Sequence, residues 1–284
     1  MLKIFELLKS RFSPHIYILT LLGLQCSGSA LAATPDITQP QVANPARVLF
    51  VGNSYYYYNN SLHNHVRRMV VTSNSSNSSS SSNNKADLDK RMQYKSSTIG
   101  GSSLDHHPID WLTTPGKIGV KEPFELVILA GNSGDALNDK TRALFAKTVA
   151  EHNQIITSRG AKTALYMTPA YVAPHKEVSL RNMRKTEDMY VSVGNDIKAM
   201  VIPVGLAFEE AYARYPNMKL HDAEDGSHPT ALGTYLAAST VVASVYGVSP
   251  VGNSYLMYGA VNSDTALQLQ QVAQDVVKKF FNRK

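Results

Sequence analysis

Five short apolar runs, separated by longer segments with helical periodicity, limit the folds open to this chain more than any other feature. The runs are typical of buried strands and lie at 46–52, 92–98, 124–131, 162–169 and 199–205. Apolar residues at helical spacing follow them at 59–71, 138–160, 178–197, 205–216, 230–247 and 265–281. Nearly continuous apolar strands that alternate with helices indicate a parallel sheet covered on both faces. The sequence therefore predicts an α/β fold, a three-layer α/β/α sandwich with a central parallel sheet of about five strands.

Residues 1–32 are predicted to be a secretory signal rather than part of this fold. Basic residues precede an apolar run at 16–24, and Ala30-Leu31-Ala32 provides a cleavage site. The apolar run is too short to span a bilayer as a helix. Gln25 stands before Cys26, where a lipoprotein signal has a small residue, so lipid attachment is disfavoured. We expect an exported protein, periplasmic or secreted, with no stable membrane insertion once the signal is removed.

The remaining chain divides into a linker at 33–44 and one domain at 45–284. Removal of the signal takes away the only cysteine, so no disulfide is expected. It also lowers the formal net charge from +6 to +4, because residues 1–32 hold three basic side chains and one acidic one. A mildly basic chain without clustered Lys and Arg gives no support for nucleic-acid binding. The Ser/Asn-rich tract at 72–89 has no apolar face and predicts a flexible surface loop.

The tripeptide Gly-Asn-Ser occurs three times, at 52–54, 131–133 and 252–254. The first two copies follow predicted strands, at the sheet edge where parallel α/β proteins bind ligands, and the third does not. Ser54 also precedes a helical segment, and an amide near a helix N-terminus stabilises developing negative charge. Position alone therefore leaves Ser54 and Ser133 as candidate nucleophiles and excludes Ser254.

A serine needs a base, and the segment "DGSHP" offers one. Asp225 and His228 are three residues apart, so one turn can point both side chains the same way. The carboxylate can then hold one imidazole nitrogen and leave the other free to accept a proton. Pro229 keeps His228 out of helical geometry and suits the first turn of the helix that follows.

These segments, in this order, resemble the blocks of the SGNH (GDSL-type) hydrolase family, whose α/β/α fold is flavodoxin-like. "VLFVGNS" resembles the block that holds the nucleophile, here Ser54, and "DGSHP" resembles the block that holds Asp225 and His228. By the same resemblance, "STIGGSSL" implies an oxyanion amide at Gly101, with Gly100 as the alternative donor. "VILAGNSG" implies an oxyanion side chain at Asn132. The resemblance extends over nearly the whole chain after the signal.

Two positions depart from the family pattern. Asn53 stands where the family has the aspartate of Gly-Asp-Ser, and Ser133 stands where an aspartate usually follows the oxyanion asparagine. Both positions support the site, so the departures bear on efficiency and loop geometry rather than on reaction type. The Gly-x-Ser-x-Gly elbow of α/β-hydrolases is absent, because Tyr56 occupies its last position.

The resemblance implies an exported serine ester hydrolase with a Ser-His-Asp triad and no metal or organic cofactor. The expected substrates are small acyl esters, acetyl above all, on a small molecule or a polysaccharide. Hydrolysis of longer acyl esters or thioesters, acyl transfer to a sugar, and carbohydrate binding without catalysis remain as alternatives. The sequence does not determine the oligomeric state.

Two further groups of residues invite a functional interpretation. The aromatic run Tyr55–Tyr58 could stack on a sugar or could simply be half-buried at a sheet-to-helix boundary, and for any one tyrosine we favour the second interpretation. A metal site could be suggested by His106, His107 and Asp110, or by His63 and His65. The second pair is disfavoured because residues two apart on a helix do not share a face. We expect no metal at either place.

Overall fold

Five parallel strands form the centre of the fold. The computed structural model describes residues 34–76 and 89–284, so the predicted signal and residues 77–88 of the Ser/Asn-rich tract lie outside the described residues. The strands are β1 Arg47–Gly52, β2 Gln93–Thr98, β3 Leu126–Leu129, β4 Lys162–Tyr166 and β5 Met200–Ile202. Their order in the sheet is β2-β1-β3-β4-β5, and every neighbouring pair is parallel. This confirms the predicted α/β/α sandwich, with the strand order of flavodoxin-like folds.

Helices cover both faces of the sheet. Within the described ranges they are α1 Ser54–Tyr57, α2 Leu62–Ser76, α3 Ile109–Thr113, α4 Asp139–Ser158, α5 Asn182–Asp196, α6 Val204–Arg214, α7 Ala231–Val241 and α8 Ser263–Phe281. A π-helical turn, Val242–Tyr246, continues α7. Single 3₁₀ turns lie at Leu104–His106, Asp135–Leu137 and Met257–Gly259. The sequence did not predict α1 and α3, because four or five residues are too few to display a helical period.

Side chains of β1 alternate between two separate cores. Val48 and Phe50 pack with α2, α6, α7 and α8 on one face of the sheet. Leu49 and Val51 pack with α3, α4 and α5 on the other face. All four side chains are at most 1% exposed. Burial on both faces explains why the strands read as continuous apolar runs rather than alternating ones.

Side-chain caps fix where the long helices begin. Asn138 accepts a hydrogen bond from the Thr141 amide at the start of α4, and Asn262 does the same for Thr265 at the start of α8. Thr230 accepts from the Gly233 amide at 3.3 Å and begins α7. Each such cap is worth about 1 kcal/mol of helix stability. The cap at Thr230 also ends the loop that carries Asp225 and His228.

Two segments predicted as a loop and a linker are more ordered than expected. Helix α2 runs to Ser76, past the start of the predicted loop, because Ser73 is buried and its hydroxyl accepts a hydrogen bond from Asn253 at 2.7 Å. The described part of the predicted linker packs against the domain, since the Gln41 side chain bonds Lys198 and Met200 at the edge of β5. Among the described residues, no helix has the length and hydropathy needed to cross a membrane.

Candidate active site

Ser54 lies just beyond the carboxyl end of β1. Asn53 separates it from Gly52, the last residue of the strand, and Ser54 is the first residue of α1. The Asn53 side chain accepts a hydrogen bond from the Tyr55 amide at 3.3 Å, and the Asn53 carbonyl accepts one from Tyr56 at 2.9 Å. The Tyr58 amide donates to the Ser54 carbonyl at 3.2 Å and closes the single turn of α1. Ser54 is only 6% exposed. Its backbone is therefore fixed on both sides, with the hydroxyl at the sheet edge.

His228 connects Ser54 to Asp225. Its Nε2 lies 3.0 Å from the Ser54 Oγ, and its Nδ1 lies 2.5 Å from Oδ2 of Asp225. The other carboxylate oxygen of Asp225 accepts hydrogen bonds from the amides of Ser227 and His228, at 2.7 and 3.0 Å. Burial raises the pKa of Asp225, but the hydrogen bonds from His228 and Ser227 outweigh burial and lower it to about 2. Asp225 is thus an anion at neutral pH, placed to stabilise a protonated imidazole.

The loop that carries Asp225 and His228 is held by the loop after β4. The Val172 amide donates to the Gly226 carbonyl at 2.9 Å. Gly226 has φ +63°, and a Cβ there would lie 2.1 Å from the Val172 carbonyl oxygen. Only glycine meets both conditions, because an L side chain would be strained and would collide with backbone. Gly226 therefore allows the close approach that fixes the spacing between Asp225 and His228.

Gly101 and Asn132 lie side by side, on the loops after β2 and β3. Asn132 Nδ2 donates to the Gly101 carbonyl at 2.9 Å. Asn132 Oδ1 accepts from the Gly134 amide at 3.0 Å, which fixes the orientation of the side-chain amide. One hydrogen of Nδ2 is used by Gly101, and an amide nitrogen carries two. The second hydrogen is the one that could donate a hydrogen bond to an oxyanion.

Three comparisons with known proteins bear on this arrangement. No family model matches the sequence, and no curated protein does either. Solved structures do match. One is a DUF4886 family protein from Bacteroides uniformis, which aligns with a TM-score of 0.56 and 15% identity over 84% of this chain and 95% of that one. A protein from Slackia heliotrinireducens assigned to the SGNH hydrolases has a TM-score of 0.52 and 19% identity, over 71% of this chain and 99% of that one.

The fold is that of the SGNH hydrolases. An acetyl xylan esterase, AlAXEase, shares it with a TM-score of 0.50 and 15% identity, over 70% of this chain and 98% of that one. At identities this low, the structural similarity establishes the fold that the sequence motifs predicted. They do not establish the role of any residue, which has to be argued from the geometry of this chain.

Asn53, the first departure from the SGNH pattern, joins three loops. Its Nδ2 donates to the carbonyls of Ser102 and Gly131, at 3.1 and 3.0 Å, while its Oδ1 accepts from Tyr55. An ionised aspartate could keep the last bond but would face the two carbonyls with no hydrogen to donate. Asparagine is therefore suited to this position in this chain, and the departure does not leave the turn before Ser54 unsupported.

The second departure, Ser133, is accompanied by a carboxylate that the sequence-based argument missed. Asp135 Oδ2 accepts a hydrogen bond from the Asn132 amide at 2.7 Å, and Asp135 is only 4% exposed. Burial raises the pKa of Asp135 to about 6, although the Asn132 hydrogen bond opposes this. Ser133 instead bonds the Tyr171 hydroxyl at 2.7 Å. The sequence signal was an acid three residues after Asn132, the spacing at which a side chain can reach back to a backbone amide.

The third Gly-Asn-Ser is a structural turn. Asn253 accepts from the Tyr255 amide at 3.0 Å, just as Asn53 accepts from Tyr55. Its Nδ2 donates to the Met69 carbonyl at 2.9 Å and to Ser73. The first and third copies therefore share a local hydrogen bond, and among the described residues it is Ser54 of the first copy that is bonded to a histidine.

The tyrosine run is divided by burial. Tyr55 and Tyr56 are at most 4% exposed, Tyr57 is 41% exposed, and Tyr58 is half-buried. Burial raises the pKa of Tyr55 to about 12, and its hydroxyl lies 3.2 Å from the Ser227 Oγ, beside the Asp-His loop. Tyr55 and Tyr56 thus belong to the core, as preferred for any one tyrosine of the run, while the Tyr57 ring is exposed.

Two of the histidines considered as metal ligands make hydrogen bonds instead. His107 Nε2 lies 3.1 Å from the Ser102 hydroxyl, and His65 Nδ1 lies 2.8 Å from the Tyr255 hydroxyl. Within residues 34–76 and 89–284, no three His, Cys, Asp or Glu side chains are grouped as metal ligands would be. His107 instead supports Ser102, the residue after Gly101.

Proposed function

We propose that this protein is an exported serine ester hydrolase that acts through Ser54, His228 and Asp225. One observation carries the proposal: an unbroken line of hydrogen bonds runs from the Ser54 hydroxyl through both imidazole nitrogens to a carboxylate. Because Asp225 accepts at Nδ1, the neutral imidazole carries its proton there and presents a lone pair at Nε2 to the serine. A structural serine would need no such arrangement.

The reaction follows from these positions. His228 Nε2 removes the Ser54 proton as Oγ bonds to the ester carbonyl carbon, and the carbonyl π electrons move to oxygen. The Ser54 and Gly101 amides and the Asn132 side chain stabilise this oxyanion. When the C–O bond to the alcohol breaks, His228 returns the proton to the leaving oxygen. Water, deprotonated by His228, then attacks the acyl-enzyme, and the acid leaves as Ser54 is regenerated.

The substrates we propose are small acyl esters, acetyl above all, of small molecules or polysaccharides. Tyr57 borders the candidate oxyanion loop, because a Cβ built on Gly100 would lie 3.2 Å from the Tyr57 hydroxyl. Its half-exposed ring supports a carbohydrate substrate, on which an aromatic ring at the mouth of the site can stack. Among proteins with this fold, one is an acetyl xylan esterase and another is a lipase/acylhydrolase from Enterococcus faecalis. Longer acyl esters are therefore the alternative that an assay has to separate.

The test combines an acyl-length series with site mapping. Nitrophenyl esters from acetate to palmitate, and acetylated xylan, are offered to the wild type, to Ser54→Ala and to Ser254→Ala. We expect turnover to be greatest with acetate, to disappear in Ser54→Ala, and to persist in Ser254→Ala, whose tripeptide is only structural. A fluorophosphonate should label Ser54 in the wild type. Labelling of another serine, or a folded wild type that cleaves none of the esters, would contradict the proposal.

A further inference from the structure

Tyr58 is the residue of the tyrosine run whose ring stacks in parallel on the candidate base, while the Tyr55 ring lies farther away, tilted, at 6.4 Å. Its ring stacks on the His228 imidazole with centroids 4.4 Å apart and planes 8° from parallel. The Tyr58 amide donates to the Ser54 carbonyl, so the stacked ring and the nucleophile belong to the same helical turn. Tyr57 lies against Tyr58, at 5.4 Å and 27°. The three rings form a short stack that ends on the imidazole.

The backbone after Tyr58 adopts a conformation that holds this stack in place. Asn59, Asn60 and Ser61 all have left-handed φ values, +53°, +68° and +67°; asparagine tolerates this conformation as a single residue, but three non-glycine residues in succession are unfavourable. The Asn59 side chain donates to the Pro229 carbonyl at 2.9 Å and to the Thr234 hydroxyl at 2.8 Å. The residue after Tyr58 is therefore bonded to the residue after His228. Such strain persists only where surrounding contacts require it, and it is concentrated at functional sites.

We propose that Tyr58 is a positioning residue for His228, whose aromatic face keeps the imidazole aligned on Ser54 and stabilises it once it is protonated. The inference rests on the proposed function and assigns a role that no family block implies.

The contacts of His228 explain why such a residue is needed. Asp225 and Ser54 contact the two ring nitrogens, which lie at the edge of the imidazole, so they fix the ring within its plane but do not prevent it from tilting. The parallel Tyr58 ring opposes tilting on one face. When His228 takes the serine proton it becomes a cation against the electron-rich face of Tyr58, and this attraction is strongest where water is excluded. The stabilisation arises in the transition state, so it should raise kcat rather than substrate affinity.

Other charged or titratable groups near His228 remain the same when Tyr58 is changed. They are His221, Asp222, Glu224 and Asp225 on its own loop, Tyr55 and Tyr57 in α1, and Tyr171 on the loop after β4. Desolvation raises the pKa of Tyr58, with Tyr57 and Asp225 adding to the effect, so its phenol stays neutral through the working range. A difference between Tyr58 variants therefore reports the ring itself.

The experiment compares Tyr58→Leu, which removes the ring, with Tyr58→Phe, which keeps it. Tyr258→Leu is the matched control, since that exposed tyrosine ring lies against a different histidine, His65, at 6.3 Å and 62°, and belongs to no part of the candidate site. We expect Tyr58→Leu to lower kcat about 5- to 30-fold, with KM changed less than twofold, and Tyr58→Phe to stay within about twofold of wild type. The acid limb of the kcat/KM profile should move to lower pH in Tyr58→Leu only, because the protonated imidazole has lost a favourable contact.

A titration without substrate keeps this test separate from the proposed function. The imidazole C–H resonance of His228, assigned by its loss in His228→Asn, should titrate at lower pH in Tyr58→Leu than in wild type and Tyr58→Phe. Replacing Tyr58 with phenylalanines of increasing fluorination weakens the ring face at nearly constant shape, and should lower kcat stepwise even if Tyr58→Leu does not fold. If the wild type cleaves no ester, but His228 still titrates at lower pH in Tyr58→Leu than in wild type, the proposed function is overturned. The contact between Tyr58 and His228 would then still be established.

Four outcomes would overturn the role of Tyr58. An increase of KM in Tyr58→Leu at unchanged kcat would make the ring part of the substrate wall. Equal losses in Tyr58→Phe and Tyr58→Leu would assign the effect to the hydroxyl. A titration and an acid limb that stay in place in Tyr58→Leu, or a fluorinated series without a trend, would show that the ring only fills space.

Discussion

Changing Asn53 to aspartate would restore the residue of the SGNH pattern, yet in this chain it should be harmful. Asn53 is 2% exposed, and its Nδ2 donates to the carbonyls of Ser102 and Gly131. Asn53→Asp removes both bonds, at about 1 kcal/mol each, and turns a negative oxygen toward two carbonyl dipoles. We expect the free energy of unfolding to fall by about 2–4 kcal/mol at pH 8. Because Asn53 joins the loops that carry Gly101 and Asn132, kcat should also fall, by about 10- to 100-fold.

The loss of stability should depend on pH in a defined direction. A protonated carboxyl can donate to one of the carbonyls, so the folded state raises the pKa of the new group above its unfolded value of about 3.9. The group's contribution to stability is then fullest below that unfolded pKa and is lost as the pH rises through the folded one. Asn53→Asp should therefore lie closer to wild type at pH 5 than at pH 8.

Asn253→Asp is the control within the same chain. Asn253 is 7% exposed and makes the same local bond to the residue two positions on, but one of its two Nδ2 acceptors is the hydroxyl of Ser73, which can rotate and donate to a carboxylate. We expect a smaller loss, about 1–2 kcal/mol, and an unchanged kcat. Urea unfolding at pH 5 and pH 8 and turnover of an acetate ester measure both effects. An Asn53→Asp protein as stable and as active as wild type would refute the reasoning.

The remaining predictions concern the oxyanion site and its pH dependence. Asn132→Ala should lower kcat about 10²- to 10³-fold with little change in melting temperature, because its free amide hydrogen acts mainly in the transition state; a rise in KM alone would contradict this. Ser54→Ala should abolish turnover, and adding Asn132→Ala should cost much less than the two effects summed, as steady-state kinetics of the double variant would show. Burial raises the pKa of Asp135 to about 6, so its contribution to stability is present below its unfolded pKa of 3.8 and is lost as the pH rises through 6. Relative to Asp135→Asn, the wild type should lose about 2 kcal/mol of unfolding free energy between pH 4 and pH 7, and parallel pH profiles of the two proteins would exclude this.

The fold could be predicted from the sequence because its signals are local. Each strand is an uninterrupted apolar run, since helices cover both faces of the sheet, and each long helix repeats its apolar residues at its own period. Helices of one turn, such as α1, carry no such period. The end of α2 was also missed, because Ser73 is polar in sequence and its buried partner, Asn253, is 180 positions away.

The candidate site divides in the same way. Asp225 and His228 could be recognised as a pair because they are three residues apart, and Ser54 because it directly follows a strand; their catalytic roles remain predictions. Contacts between distant segments were out of reach of the sequence. Asn53 reaches Ser102 and Gly131, 49 and 78 positions away, and His228 lies 174 positions from the serine it meets. Which tyrosine of four meets the imidazole depends on where one turn of helix points after β1, and only the packing of the loops around it decides that.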